Sequence, residues 1–159
     1  MYHKPITLAL TFWIVLLLPT MGACMETTCP AGDPIIRPLK VNGHPLTAEV
    51  AATVAGRACG LSLRDSMPVN HGMLFVYRDA RGLVFWMKDT VIPLSIAYLD
   101  SDHRILALHE MDPGQPEHRY RSGHPARYAL EVHQGWFRSN GVEVGDLVEF
   151  ELPADLKVD

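Results

Sequence analysis

Apolar and polar residues alternate along this chain in short runs, each of strand length, and hardly any stretch carries helical spacing. Residues 46–50 form the first run, following the Asn42-Gly43 turn signal. Residues 73–77 and 83–87 are rich in aromatic and β-branched side chains. Between them Arg78-Asp79-Ala80-Arg81-Gly82 is polar and ends in glycine, which predicts a hairpin with a longer loop. Thr90-Val91-Ile92-Pro93 interrupts the pattern before Leu94–Leu99 resumes it. Residues 104–110 alternate again after the Ser101-Asp102-His103 turn, with Leu106 and Leu108 on one face and Ile105 and Ala107 on the other. Residues 128–133 set Tyr128, Leu130 and Val132 on one face. Residues 147–152 close the pattern, with Val148, Phe150 and Leu152 inward and Glu149 and Glu151 outward.

One helix is predicted, over Val54–Cys59. Thr53 has the chemistry of an N-cap, and Gly60 that of the left-handed residue ending a helix. Residues 111–125 hold Pro113, Gly114, Pro116, Gly123 and Pro125 and read as a long irregular loop; Ser139-Asn140-Gly141 and Gly145-Asp146 read as turns. About seven strands with one short helix give a mainly-β fold, a compact sandwich or small barrel.

The amino terminus follows a different rule. Lys4 precedes an almost wholly apolar stretch over 6–18, and Met21-Gly22-Ala23 places small residues before Cys24. That order predicts a signal peptide over residues 1–23, since the apolar core falls short of the ~20 residues of a spanning helix. An uncleaved anchor is the alternative. Small residues directly before Cys24 resemble the bacterial lipobox, although Met21 stands where leucine is usual, so Cys24 is the expected lipidation site. Residues 24–39, with Pro30, Gly32, Pro34 and Pro38, read as a tether, residues 40–153 as a single domain and residues 154–159 as a tail.

Lipidation of Cys24 leaves Cys29 and Cys59, which can pair in an oxidising compartment; the alternative is a buried free thiol at Cys59. Losing Lys4 leaves 13 basic side chains against 18 acidic, a net charge near −5. No basic stripe or stacking platform points to nucleic acid.

The words Arg57-Ala58-Cys59-Gly60-Leu61-Ser62-Leu63-Arg64, Gly72-Met73-Leu74-Phe75, Phe85-Trp86-Met87-Lys88-Asp89-Thr90, Ile92-Pro93-Leu94, Leu130-Glu131 with Gly135, and Gly141 with Gly145-Asp146 occur in this order. Together they resemble domain of unknown function 192, a family of small bacterial and archaeal proteins, many of them exported. The resemblance spans about 46–152. Ser62, Asp89 and Ser95 depart from it, standing where the family usually has Met, usually has Asn and commonly has Asp. It implies a compact mainly-β fold and carries no established reaction, substrate or cofactor.

The residues raise four kinds of chemistry. Nucleophilic catalysis has no Gly-x-Ser-x-Gly elbow, and Cys59 has no sequence-local base. Seven His outside the leader and Met67, Met73, Met87 and Met111 raise metal binding, but none has tight ligand spacing and the Met positions alternate as core residues do. Asp89 and Glu131 could act as an acid/base pair. The structural alternative has Asp89 bonded to the 90–93 backbone corner and Glu131 paired with Arg57 or Arg64. Finally, Arg57, Arg64, Trp86, Lys88, Asp89, Thr90 and Glu131 could line a small concave binding site, unless Trp86 is a core aromatic.

The resulting expectation is an exported, lipid-anchored, monomeric and non-enzymatic envelope module. It binds a small ligand or protein partner, uses no cofactor and no metal, and does not contact nucleic acid. The alternative is a hydrolase acting through Asp89 and Glu131.

Overall fold

A computed structural model describes Cys29 and residues 34–159; the expected signal peptide over 1–23 and Cys24 lie outside the described residues. The described chain is one seven-stranded sheet that curls into a half-barrel, in the strand order β5-β4-β6-β3-β2-β1-β7. Its elements are β1 (Ile36–Val41), β2 (His44–Ala51), α1 (Val54–Cys59), β3 (His71–Phe85), β4 (Leu94–Leu99), β5 (Ile105–Met111), β6 (Tyr120–His133), α2 (Trp136–Ser139) and β7 (Val148–Phe150). All pairings are antiparallel except β2 with β3, which run parallel because α1 crosses between them. The curl brings the segment before β7 back to β5: Val148 N–H donates to His103 O at 3.0 Å and Ile105 N–H to Asp146 O at 2.9 Å.

Strand alternation sorts the apolar residues onto two faces. Leu39, Val41, Leu46, Leu74, Val76, Leu99, Tyr128, Leu130, Val132 and Val148 pack on one, with Phe137 of α2. Met73, Phe75, Leu83, Met87, Ile92, Leu94, Ile96, Tyr98, Met111 and Tyr120 pack on the other. Both faces of the central strands are therefore covered, and all six residues of β4 are buried.

Several expectations need correction. The hairpin over 73–77 and 83–87 does not form; 73–77 and 83–85 belong to the single strand β3, and Trp86 and Met87 follow its end. Residues 78–82 stay extended because β6 lies alongside, with Arg81 opposite Ala126 and Gly82 opposite Pro125 across a register shift. The irregular loop over 111–125 is correspondingly shorter, since Tyr120 to Pro125 are strand. There the Ser122 hydroxyl accepts Leu83 N–H at 3.1 Å and donates to His124 O at 2.6 Å, beside Pro125, which has no N–H to give the ladder. The tether over 24–39 ends sooner than expected: β1 begins at Ile36, where Leu39 and Val41 alternate inward against β2 and β7. A second short helix, α2, precedes the 139–141 turn. Residues 154–159 pack rather than trail, with Leu156 and Val158 against the core.

Helix α1 forms between the caps predicted for it, although Gly60, at ψ −134°, lies outside the left-handed helical region expected. Thr53 Oγ1 accepts Gly56 N–H at 3.0 Å, and Gly60, at φ 54°, donates its N–H to Gly56 O at 2.9 Å. Cys59 at the helix end is bonded to Cys29, with Cα atoms 5.4 Å apart.

Candidate functional site

The end of α1, the middle of β3, the corner over 86–90 and β6 enclose a cleft of about 470 Å³, lined among others by Leu61, Phe75, Tyr77, Trp86, Lys88 and Glu131. That volume is in the range of small-molecule sites. The helix end lies against the wall: a Cβ at Gly60 would sit 3.3 Å from Phe75 Cζ. The opposite wall is held by the corner. Thr90 N–H donates to Met87 O at 3.1 Å, Thr90 Oγ1 to Lys88 O at 3.2 Å, and Leu63 N–H to Asp89 O at 2.8 Å. The last bond ties the corner to the chain leaving α1.

Glu131 lines this cleft with a residue exposure of only 4%. Its register partners are Met73 on β3 and Ile96 on β4, both buried and apolar. No hydrogen bond or ion pair to its side chain occurs among the described residues. Burial alone pushes its carboxyl up to about 8, so that at neutral pH it carries a proton. Tyr77 and Tyr98 are the titratable groups nearest in electrostatic effect, both raised chiefly by burial and further by Glu131. The Tyr98 hydroxyl is committed to Tyr120 O at 2.9 Å.

The cations expected beside Glu131 are engaged elsewhere. Arg64 makes a two-pronged pair with Glu49 at 2.5 and 2.8 Å and does not line the cleft. This pair holds Glu49 below the usual carboxylate range and raises Arg64. Arg57 lines the cleft but bonds Ala52 O, Val76 O at 3.0 Å and Asp159 O at 2.5 Å, with its guanidinium 4.7 Å from the Tyr77 ring centre. It fastens α1, β3 and the carboxyl terminus together. The expected pairing of Glu131 with Arg57 or Arg64 is therefore corrected.

Trp86 is 47% exposed, so the core-aromatic alternative fails; Arg119 from the turn before β6 stacks on it at 3.9 Å, and Lys88 Nζ lies 5.9 Å away. Asp89 is exposed and its side chain makes no hydrogen bond among the described residues. Its structural contribution is a left-handed backbone, φ 55°, and a carbonyl, not the side-chain cap expected of it. Asn is favoured in this conformation for the same reason as Asp. Six of the seven residues singled out from sequence, Arg57, Trp86, Lys88, Asp89, Thr90 and Glu131, line one cleft. Phe75, Tyr77, Phe85 and Leu61 were missed, because strand alternation marks them only as core.

Further hollows lie among the described residues. A groove of about 940 Å³ runs beside β1 and β7, where His103 stacks on Phe150 at 3.9 Å, and another of about 800 Å³ contains Arg64 and Glu49. Neither holds a buried acid without a partner. The described residues contain no cluster of three His, Cys, Asp or Glu side chains placed to hold a metal ion. None of their helices is long and apolar enough to cross a membrane.

Comparison with known proteins places this geometry in a family. The profile of DUF192, described as "Uncharacterized ACR", matches residues 37–150. The chain belongs to the DUF192 family. The DUF192 domain thus begins within β1 and ends with β7. A solved structure from Sinorhizobium meliloti 1021, described as a "putative transcription regulator", is 31% identical, with a TM-score of 0.72 over 76% of this chain and 98% of that one. A protein of unknown function from Novosphingobium aromaticivorans DSM 12444 is 30% identical, with a TM-score of 0.67 over 78% of this chain and 94% of the other. No curated protein matches the chain.

Proposed function

We propose that this DUF192 protein is exported, held to a membrane by lipid on Cys24, and acts in the cell envelope as a monomeric accessory module that binds a small ligand without transforming it. The observation that carries the reading is Glu131: a buried carboxyl with no hydrogen-bond or ion-pair partner among the described residues, lining an open cleft. Shielding a carboxyl from water carries a desolvation cost unless a hydrogen bond replaces what water supplied. A ligand that meets Glu131 offsets that cost. The rigid curled sheet supplies the floor, and the disulfide and the Leu63–Asp89 bond hold the walls.

The test is a small-molecule screen by amide chemical-shift mapping on the disulfide-intact protein. Binders should move the resonances of residues 60–63, 86–90 and Glu131. A broad library that moves none of these contradicts the reading. Detergent partitioning of parent and Cys24→Ala proteins tests the anchor: the variant should be soluble or unprocessed, and membrane retention of a correctly processed variant contradicts it.

A hydrolase remains the second reading, favoured by one observation: Asp89 and Glu131 line the same cleft in opposite surroundings, one exposed and one buried. Such divergence separates an acid from a base. Recovery of an identified ligand by mass spectrometry decides between them, intact for a binding module and cleaved for a hydrolase.

A further inference from the structure

The chemistry around Glu131 narrows the class of ligand. The aromatic rings at the mouth already carry the protein's own cations: Arg57 and Arg81 lie 4.7 and 5.7 Å from the Tyr77 ring centre, and Arg119 and Lys88 lie over Trp86. Deeper in the cleft, Phe75 and Phe85 meet edge to face at 4.8 Å, and the described residues place no cation over either ring. Glu131 lines the same space, so an acid and an aromatic pair that carries no cation among the described residues stand together. The charged and titratable groups facing it are few. Arg57, Lys88 and Asp89 line the cleft, and Tyr77 and Tyr98 are its phenolic neighbours. Arg57 donates to Ala52 O, Val76 O and Asp159 O, and Asp89 places a second carboxyl group near the mouth.

We propose that the cleft binds a small organic amine as its cation, the ammonium group on Glu131 and the carbon portion against Phe75, Phe85 and Leu61. This rests on the reading of the cleft as a ligand site. A neutral polyol fits less well: a protonated carboxyl offers one donor and one acceptor, and the deep walls of Leu61, Phe75, Phe85 and Leu94 would leave other hydroxyls unmatched. An anion would meet the acid directly. An ammonium ion gains both a charge-assisted hydrogen bond and attraction to the ring faces. The amine enters already protonated, and the Glu131 carboxyl proton passes to bulk water, one proton for each ligand bound. Deprotonation is a modest barrier, because burial raises this carboxyl only to about 8.

Calorimetry on the full chain with its disulfide intact tests this, using n-butylammonium chloride, n-butanol and sodium butyrate as probes in two buffers of different ionisation enthalpy. Chemical-shift mapping locates the bound probe. The expected result is butylammonium at residues 60–63, 86–90 and Glu131, with one proton released. Affinity should rise about tenfold per pH unit between pH 5 and 7 and level off above 8. Glu131→Gln, which copies the shape of the protonated acid, should keep the parent's amide spectrum and weaken the amine by about tenfold or more. Equal or tighter binding of butanol or butyrate in the cleft overturns the amine inference and leaves the small-ligand reading intact. So does undiminished amine affinity in Glu131→Gln, or binding without proton release. If none of the probes enters the cleft the amine inference fails, and if the broad screen also finds no binder there the underlying reading fails with it.

Discussion

Gly72 on β3 lies against the main-chain oxygen of Glu131 on β6: a Cβ built on it would fall inside 3.0 Å of that oxygen and 3.1 Å from Val132 Cγ1. Backbone on one strand therefore sets how closely the strand bearing the buried acid can approach. Gly72→Ala should push the strands apart and cost about 1–3 kcal/mol, the usual range for overpacking. Urea unfolding measures it, and an unchanged midpoint would show that the close approach is not required.

Glu131 should leave a signature in the dependence of stability on pH. Its folded value is raised to about 8 by burial, above the ordinary 4.5. Between these values the native state holds a proton that the unfolded chain has released. The stabilisation is complete below 4.5 and is lost as pH rises through about 8. Parent melting temperature should therefore fall from pH 5 to 8, with Glu131→Gln flatter and relatively more stable at the alkaline end. Parallel curves would mean that Glu131 is solvated or paired in solution.

Asp89 tests the 86–90 corner through its backbone. At φ 55°, Asp89→Ala should destabilise by about 1 kcal/mol. Asp89→Asn and Asp89→Gly should melt within a few tenths of a kcal/mol of the parent or above it, since those residues tolerate the left-handed region. If Asp89→Gly is as damaging as Asp89→Ala, backbone conformation is not what Asp89 supplies.

The sequence was most informative where chemistry is local. Thr53 and Gly60 bracket α1 because capping depends on a few adjacent residues, Leu94–Leu99 reads as a strand from its nearly continuous apolar run, and the inward Val148 and Phe150 follow from alternation. It misled over 73–87, where a polar run resembling a hairpin turn is carried straight by its pairing with β6, about forty residues away in the chain. The site was legible in part for the same reason. Trp86 to Thr90 are adjacent in sequence, whereas the exclusion of Arg64 and the isolation of Glu131 depend on Glu49, Met73 and Ile96, which other strands bring in.

Cys29 and Cys59 close a loop over a sequence separation of 30 that fixes Cys29 to the cleft wall. In the loop-entropy account such a bridge contributes about 3–4 kcal/mol. Thiol counting in non-reducing denaturant should find neither residue free, and reduction should lower the urea midpoint accordingly. Two titratable thiols at these positions would contradict the pairing.

The central claim is that the Glu131 cleft receives a small molecule, and a crystal structure of the disulfide-intact protein soaked with mixtures of small amines, alcohols and acids tests it most directly. The account predicts ordered density within hydrogen-bond distance of the Glu131 carboxyl, between the end of α1 and the 86–90 corner. Density confined to the groove beside His103 and Phe150, or a cleft holding only water after every soak, would contradict it.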